Sequence, residues 1–170
     1  MNEQYRVAQK FGLMSQADTP LPDDIKAWAI SQLKAKSPAL GISRLGTKVK
    51  PWPKSLQPDL MERDTMFANW FQRNKIGDAA NASNAERQAN QKENIMKEKD
   101  QLKFSHRNVY GKDQVRLRFA SFWANHFTTG DVHDNANHIG HAIDEAILAN
   151  LNGDFSHMLY KVTSHPAMLI

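Results

Sequence analysis

Seven histidines and no cysteine set the terms for chemistry in this 170-residue chain. Without cysteine there is no thiol nucleophile, no zinc–thiolate site and no disulfide. Neutral imidazole remains, and it can bind metals or carry protons near neutral pH. Two short runs draw attention. Phe122-Trp123-Ala124-Asn125-His126-Phe127 crowds aromatics, an amide and an imidazole into under two helix turns, and His165-Pro166-Ala167-Met168-Leu169 follows near the end of the chain. Asn125, His126 and His165 are therefore the candidate catalytic residues. A catalytic metal normally needs a third protein ligand, and neither run supplies one. The simpler reading is packing: His126 lies against Phe122 or Trp123 with its nitrogens bonded to Asn125 or backbone, and His165 orients a helix end before Pro166.

A second set is regular in spacing. His138, His141 and Glu145 stand at i, i+3 and i+7, on one helical face, with His133 nearby in a polar loop. Imidazole and carboxylate at that spacing could hold a divalent metal, although the paired His-Glu-x-x-His pattern is missing. That face lies opposite the Ile139, Ile143, Ile147 stripe, so the competing expectation is a solvated polar surface. Glu62 and Asp64 flank Arg63, but residues two apart do not face each other on a helix. They read as mixed-charge surface. There is no Gly-rich phosphate loop and no Gly-x-Ser-x-Gly elbow.

The elements that must position these residues read as helices. Arg6 to Phe11 forms a short helix ended by Gly12. Asp23 and Asp24 after Pro20 and Pro22 suit a helix start, with Ile25, Trp28, Ala29, Gln32 and Leu33 on one face. Residues 37–54 hold Pro38, Gly41, Gly46, Pro51 and Pro53, and are expected to be a loop. A helix from about Pro58 carries Leu60, Phe67 and Phe71, with Met66 and Trp70 beside them, and Gly77 closes it. Residues 79–103 are polar and poor in large apolar side chains, giving either an exposed helix or a linker, with the helix favoured by the absence of Gly and Pro. Ser83 and Glu86 have capping-box spacing, and Asn81-Ala82-Ser83 is a formal sequon. Beyond Asp113, Val115, Phe119, Phe122, Trp123 and His126 share a face. Ile139, Ala142, Ile143, Ala146 and Ile147 mark another helix. A last one, capped by Asp154 after Asn152-Gly153, should bury Phe155, Met158, Leu159 and Val162. Sustained alternation of period two is absent. The expectation is an all-α, irregular orthogonal bundle of about six or seven helices in one region spanning 1–170.

The two histidine runs in this order resemble the bacterial family catalogued as domain of unknown function 1800. The match is clearest from Val115 to Leu169, including the Ile147 to Gly153-Asp154-Phe155 spacing. It is weaker at Phe11-Gly12 and from Ala27-Trp28 through Gln32-Leu33, and the loop at 37–54 lies outside it. Leu148 stands where family members usually carry Arg, which removes a bidentate carboxylate partner. The family also continues past His-Pro-Ala-Met-Leu, so the resemblance implies that this chain is the N-terminal part of a longer domain, with the following segment packing on Met168, Leu169 and Ile170. It implies a bacterial source, with many members resembling exported proteins.

Net charge is +4 and the pI about 9.3. The densest basic stretch, Arg44, Lys48, Lys50 and Lys54 around Trp52, is too sparse for a phosphate-backbone footprint, which argues against nucleic acid. No apolar run reaches membrane-spanning length, and Met1 to Arg6 shows no signal-peptide pattern, so the compartment stays open. Two function classes follow. One is a structural or binding module whose histidines serve packing. The alternative is the N-terminal part of a metal-dependent or hydrolase-like enzyme that joins His126 and His165 to residues beyond Ile170, with a divalent metal as cofactor.

Overall fold

Short polar side chains set several helix starts. In the computed structural model, which describes residues 3–11, 23–34, 40–76, 84–129 and 136–169, Asp24 accepts from the Ala27 amide at 2.9 Å and opens a helix. Helix α1 spans Glu3–Phe11 and α2 spans Ile25–Leu33. Helix α3, Leu60–Ile76, starts at a reciprocal box in which Asp59 N–H donates to Glu62 at 2.9 Å and Glu62 N–H to Asp59 at 2.8 Å. Helix α4 runs from Asn84 to Tyr110, α5 from Gln114 to His126 and α6 from Ala136 to Ala142. A π-helical turn, Ile143–Ile147, and a 3-10 turn, Leu148–Asn150, continue α6. Helix α7 is Phe155–Thr163, capped by Asp154, and α8 is Pro166–Leu169.

The protein is all-α: eight α-helices and no strand lie among the described residues, close to the six or seven expected. None of these helices is long and apolar enough to cross a membrane. Residues 40–53 form a loop with two isolated antiparallel bridges, Leu40 with Gly111 and Ile42 with Lys48. Asn152 and Gly153 lie in a turn between helical segments, with Gly153 N–H donating to Asn150 at 3.0 Å. Residues 84–103 are helical and continue to Tyr110, and this helix buries Met96 and Asp100 on one side. The readings at Gly12, Pro20, Pro22, Pro38, Gly77, the sequon, Ser83, His133 and Ile170 fall outside the described residues.

The core gathers Ala120 of α5, Ala146 and Ile147 of the π turn, Leu148, and Met158 and Val162 of α7. Trp123, Ala124, Phe127, Ile143 and Leu151 pack around it. Burying Ile147 or Met158 contributes about 1.5–3 kcal/mol each. The buried side of α5 differs from expectation. Val115 is buried, but so are Arg116, Leu117 and Ala120, while Phe119 is 37% and Phe122 57% exposed. The small Ala120 lets the π turn approach, and a pattern drawn through large apolar residues misses it. On α7 the same shift occurs: Met158 and Val162 are buried, whereas Phe155 and Leu159 reach solvent. Gln32 of α2 caps α5 by accepting from the Val115 amide at 3.0 Å. At the end of α8, Ala167 is buried and Met168 and Leu169 are exposed.

Candidate metal centre

Helix α6 is fixed by charges from two neighbouring helices. Arg63 of α3 is 2% exposed and forks onto Asp100 of α4, Nη1 to Oδ2 at 2.7 Å and Nη2 to Oδ1 at 2.9 Å. Its Nη1 also donates to the Asn137 carbonyl of α6, and its Nε to the Pro58 carbonyl at 3.1 Å. The next residue, Asp64, meets His138 Nε2 at 2.7 Å. The His138 side chain is fully buried, edge-on to Phe67, and its Nδ1 has no partner among the described residues. Close approach depends on Gly140, where a Cβ would fall 2.3 Å from the Asp100 side chain. Arg63 is thus a buried anchor of α6, not the surface charge expected from its neighbours, whereas Glu62 and Asp64 are exposed as expected and Asp64 also holds His138. The partner of Arg63 lies 37 residues away.

One turn on, three ligand-type side chains converge. His141 Nδ1 is 3.1 Å from Glu145 Oε2 in the π turn and 3.1 Å from Nε2 of His165, which immediately precedes α8. His165 Nε2 to Glu145 Oε2 is 4.0 Å. The three ligand atoms lie within 4.8 Å of one another. Tetrahedral zinc with bonds near 2.05 Å would set its ligand atoms about 3.3 Å apart. His165 is buried, His141 half-buried and Glu145 exposed, so the cluster opens to solvent on the carboxylate side. The solvated face expected for residues 138, 141 and 145 is therefore corrected. It is buried at His138 and grades to solvent at Glu145, because α3, α4 and α8 cover its start.

Burial pushes His165 down to about 4, with the neighbouring His141 adding to the shift and Glu145 opposing it. Burial also lowers His141, against the pull of Glu145. Both rings are thus neutral at pH 7, the form that binds metal. Their hydrogen bonding is unresolved by any one tautomer. His165 Nδ1 accepts the Ala167 amide at 3.1 Å, which puts the ring hydrogen on Nε2, facing His141 Nδ1. His141 Nδ1 must then present a lone pair to His165 while the same atom faces the Glu145 carboxylate. Moving a hydrogen onto His141 Nδ1 satisfies Glu145 and sets two N–H groups against each other. A cation among the three atoms would satisfy both rings and Glu145 at the cost of the Ala167 hydrogen bond, because His165 would then carry its hydrogen on Nδ1.

The first histidine run is placed elsewhere. His126 is exposed, stacked on Phe122 at 6.1 Å and edge-on to Trp123 and Phe127. Asn125 is exposed, and its carbonyl accepts from Thr128 Oγ1 at 2.8 Å. Among the described residues no hydrogen bond, ion pair or ring contact joins His126 to Asn125 or to His165, whose ring partner is His141 at 5.4 Å. Asp100 carries no signal of its own in the sequence, and Arg63 and Asp64 read there only as charged surface. One signal was present: a glycine inside the helical pattern at 140, between His138 and His141, marks a close approach of another element.

Helical folding and a histidine–carboxylate cluster held between helix ends place the molecule among all-α proteins with a candidate metal centre. More particularly, a family model described as Protein of unknown function (DUF1800) matches residues 9–170, and the chain belongs to that family. No curated protein and no solved structure matches it. At Leu148, where the resemblance expects Arg, the side chain is buried in the core and the carbonyl accepts from Arg116 Nη2 at 2.7 Å.

Proposed function

We propose that the chain is a helical binding module that holds a divalent transition metal, zinc by its donor set, through His141 Nδ1, His165 Nε2 and Glu145. The observation that carries this reading is the convergence of these three atoms within 4.8 Å, with His141 Nδ1 facing both the second imidazole and the carboxylate. Two imidazoles and one carboxylate leave a fourth position toward solvent, the arrangement that metal-dependent hydrolysis uses. His126 is left out because its contacts are aromatic. His138 and Asp64 hold α6 in place beside the ion and do not ligate it. Binding through Nε2 moves the His165 hydrogen to Nδ1, so the Ala167 contact opens and the short α8 shifts. Zinc titrated calorimetrically into metal-free protein is expected to bind one equivalent. Binding should weaken at least tenfold in His141→Ala and in Glu145→Gln, and stay unchanged in His126→Ala. Equal binding by all four proteins would sink the reading.

The Ala167 hydrogen bond favours a second reading, in which His165 and His141 clamp α8 to α6 without metal. A structural clamp predicts that His141→Ala loses stability and that zinc leaves the unfolding midpoint unchanged. The metal centre predicts a zinc-dependent rise in that midpoint.

A further inference from the structure

The apolar stripe that begins on α6 is only partly used by the core. Of its three isoleucines, Ile147 is buried, while Ile139 and Ile143 are half-buried. Together with Phe104 of α4, also half-buried, these two line a pocket of about 300 Å³ between α4 and the helix formed by α6 and the π turn. The surface that this pocket presents is overwhelmingly apolar. Two fixed points bound it, and residues at both line it. At Gly140 the helices touch, since a Cβ there would fall 2.3 Å from the Asp100 side chain. One turn on, Lys103 reaches across to Asp144 of the π turn. A lysine–aspartate pair needs more room than a glycine contact, and the apolar side chains between the two points leave a gap. The charges at the wall are already met. Asp100 pairs with Arg63 at 2.7 Å and Arg107 with Asp113 at 3.0 Å, Lys103 and Asp144 pair with each other, and Lys97 is engaged as well. A charged ligand would therefore lose hydration on entering and find no free counter-charge. Water in such a pocket has few polar partners, so an apolar molecule displaces it favourably.

We propose that this pocket binds a neutral, apolar small molecule of one or two rings, seated against Phe104, Ile139 and Ile143. The volume suits a ligand of that size. Phe104 offers a ring for edge-on or offset stacking. No residue of the histidine cluster lines the pocket, so this site goes beyond the metal reading, and either can fail without the other.

The test follows the isoleucine δ1 methyl signals in ¹³C-labelled protein, with Ile139 and Ile143 assigned by their loss in Ile139→Val and Ile143→Val. Indole, benzoate and benzylammonium are titrated to about 5 mM at matched ionic strength. Both methyl signals are expected to shift saturably with indole, and the two charged rings to bind at least tenfold more weakly. Affinity for indole should fall at least tenfold in Ile139→Phe, which fills the pocket, or in Phe104→Trp should the first variant not fold. No saturable shift with indole, or affinity unchanged in the filled variant, overturns the proposal. Benzoate or benzylammonium binding as tightly as indole overturns the neutral class of ligand. Movement of the same two signals on raising the protein concentration alone would put a second copy of the chain on this surface and overturn the proposal as well.

Discussion

The end of α5 and the end of α6 with its following turn carry the same kinds of residue and put them to different uses. At the end of α5, His126 has three aromatic neighbours and no hydrogen bond among the described residues, and it lies open to solvent beside the exposed Phe122. In the last turn of α6, His141 has one ring neighbour, but that neighbour is a second imidazole, and a carboxylate stands 3.1 Å away. Three covering helices separate the two. Arg63 and Asp100 pin α6 between α3 and α4, and α8 brings in His165. A dense run of unusual residues marks a surface, whereas a site forms where separate elements hold polar groups against one another.

The largest effect should come from breaking that anchorage. Arg63→Ala leaves Asp100 buried without its cation and should lower stability by about 3–5 kcal/mol in urea unfolding. A loss below about 1 kcal/mol would mean that α6 is held by other contacts. Acid should act next on the metal-free protein. His165 stays neutral down to about 4 when folded, against 6.5 for the free ring. The unfolded chain therefore takes up its proton first, and stability falls as pH drops from about 6.5 to about 4. The loss attributable to this ring approaches about 3 kcal/mol. Comparing urea midpoints of wild type and His165→Gln across this window isolates it, and parallel curves would contradict the assigned burial. Gly140→Ala drives a methyl into Asp100 and should reduce stability by about 1–3 kcal/mol in the same assay. An unchanged midpoint would show that α4 and α6 can separate freely. The smallest effect belongs to the other region: His126→Ala should stay within about 0.5 kcal/mol, and a loss several times larger would make the end of α5 part of the core.

Helical class and most helix positions were legible because caps and apolar periodicity are local. Asp24 and Asp154 mark starts with their own side chains. The inward face of α5 was misjudged because Ala120 and Arg116 are buried there. A small residue and a cation gain their burial from the π turn and from the Leu148 carbonyl, which the helix's own pattern cannot report. The candidate site was half legible. His141 and Glu145 share a face by spacing alone, and His165 was noted for its place before Pro166. Their meeting depends on α8 folding back against α6, and His126 was linked to His165 in its place because both stood in conspicuous runs. Arg63 reads as surface because its neighbours are charged and its partner is distant in sequence.

The metal centre is tested most directly by a long-range ¹H–¹⁵N spectrum of the histidine rings as one equivalent of zinc is added. With zinc bound there, the His141 Nδ1 and His165 Nε2 signals should move together to metal-bound positions, His165 Nδ1 should gain a hydrogen, and His126 should stay where it was. Rings of His141 and His165 left unmoved, or a shift confined to His126, would contradict it.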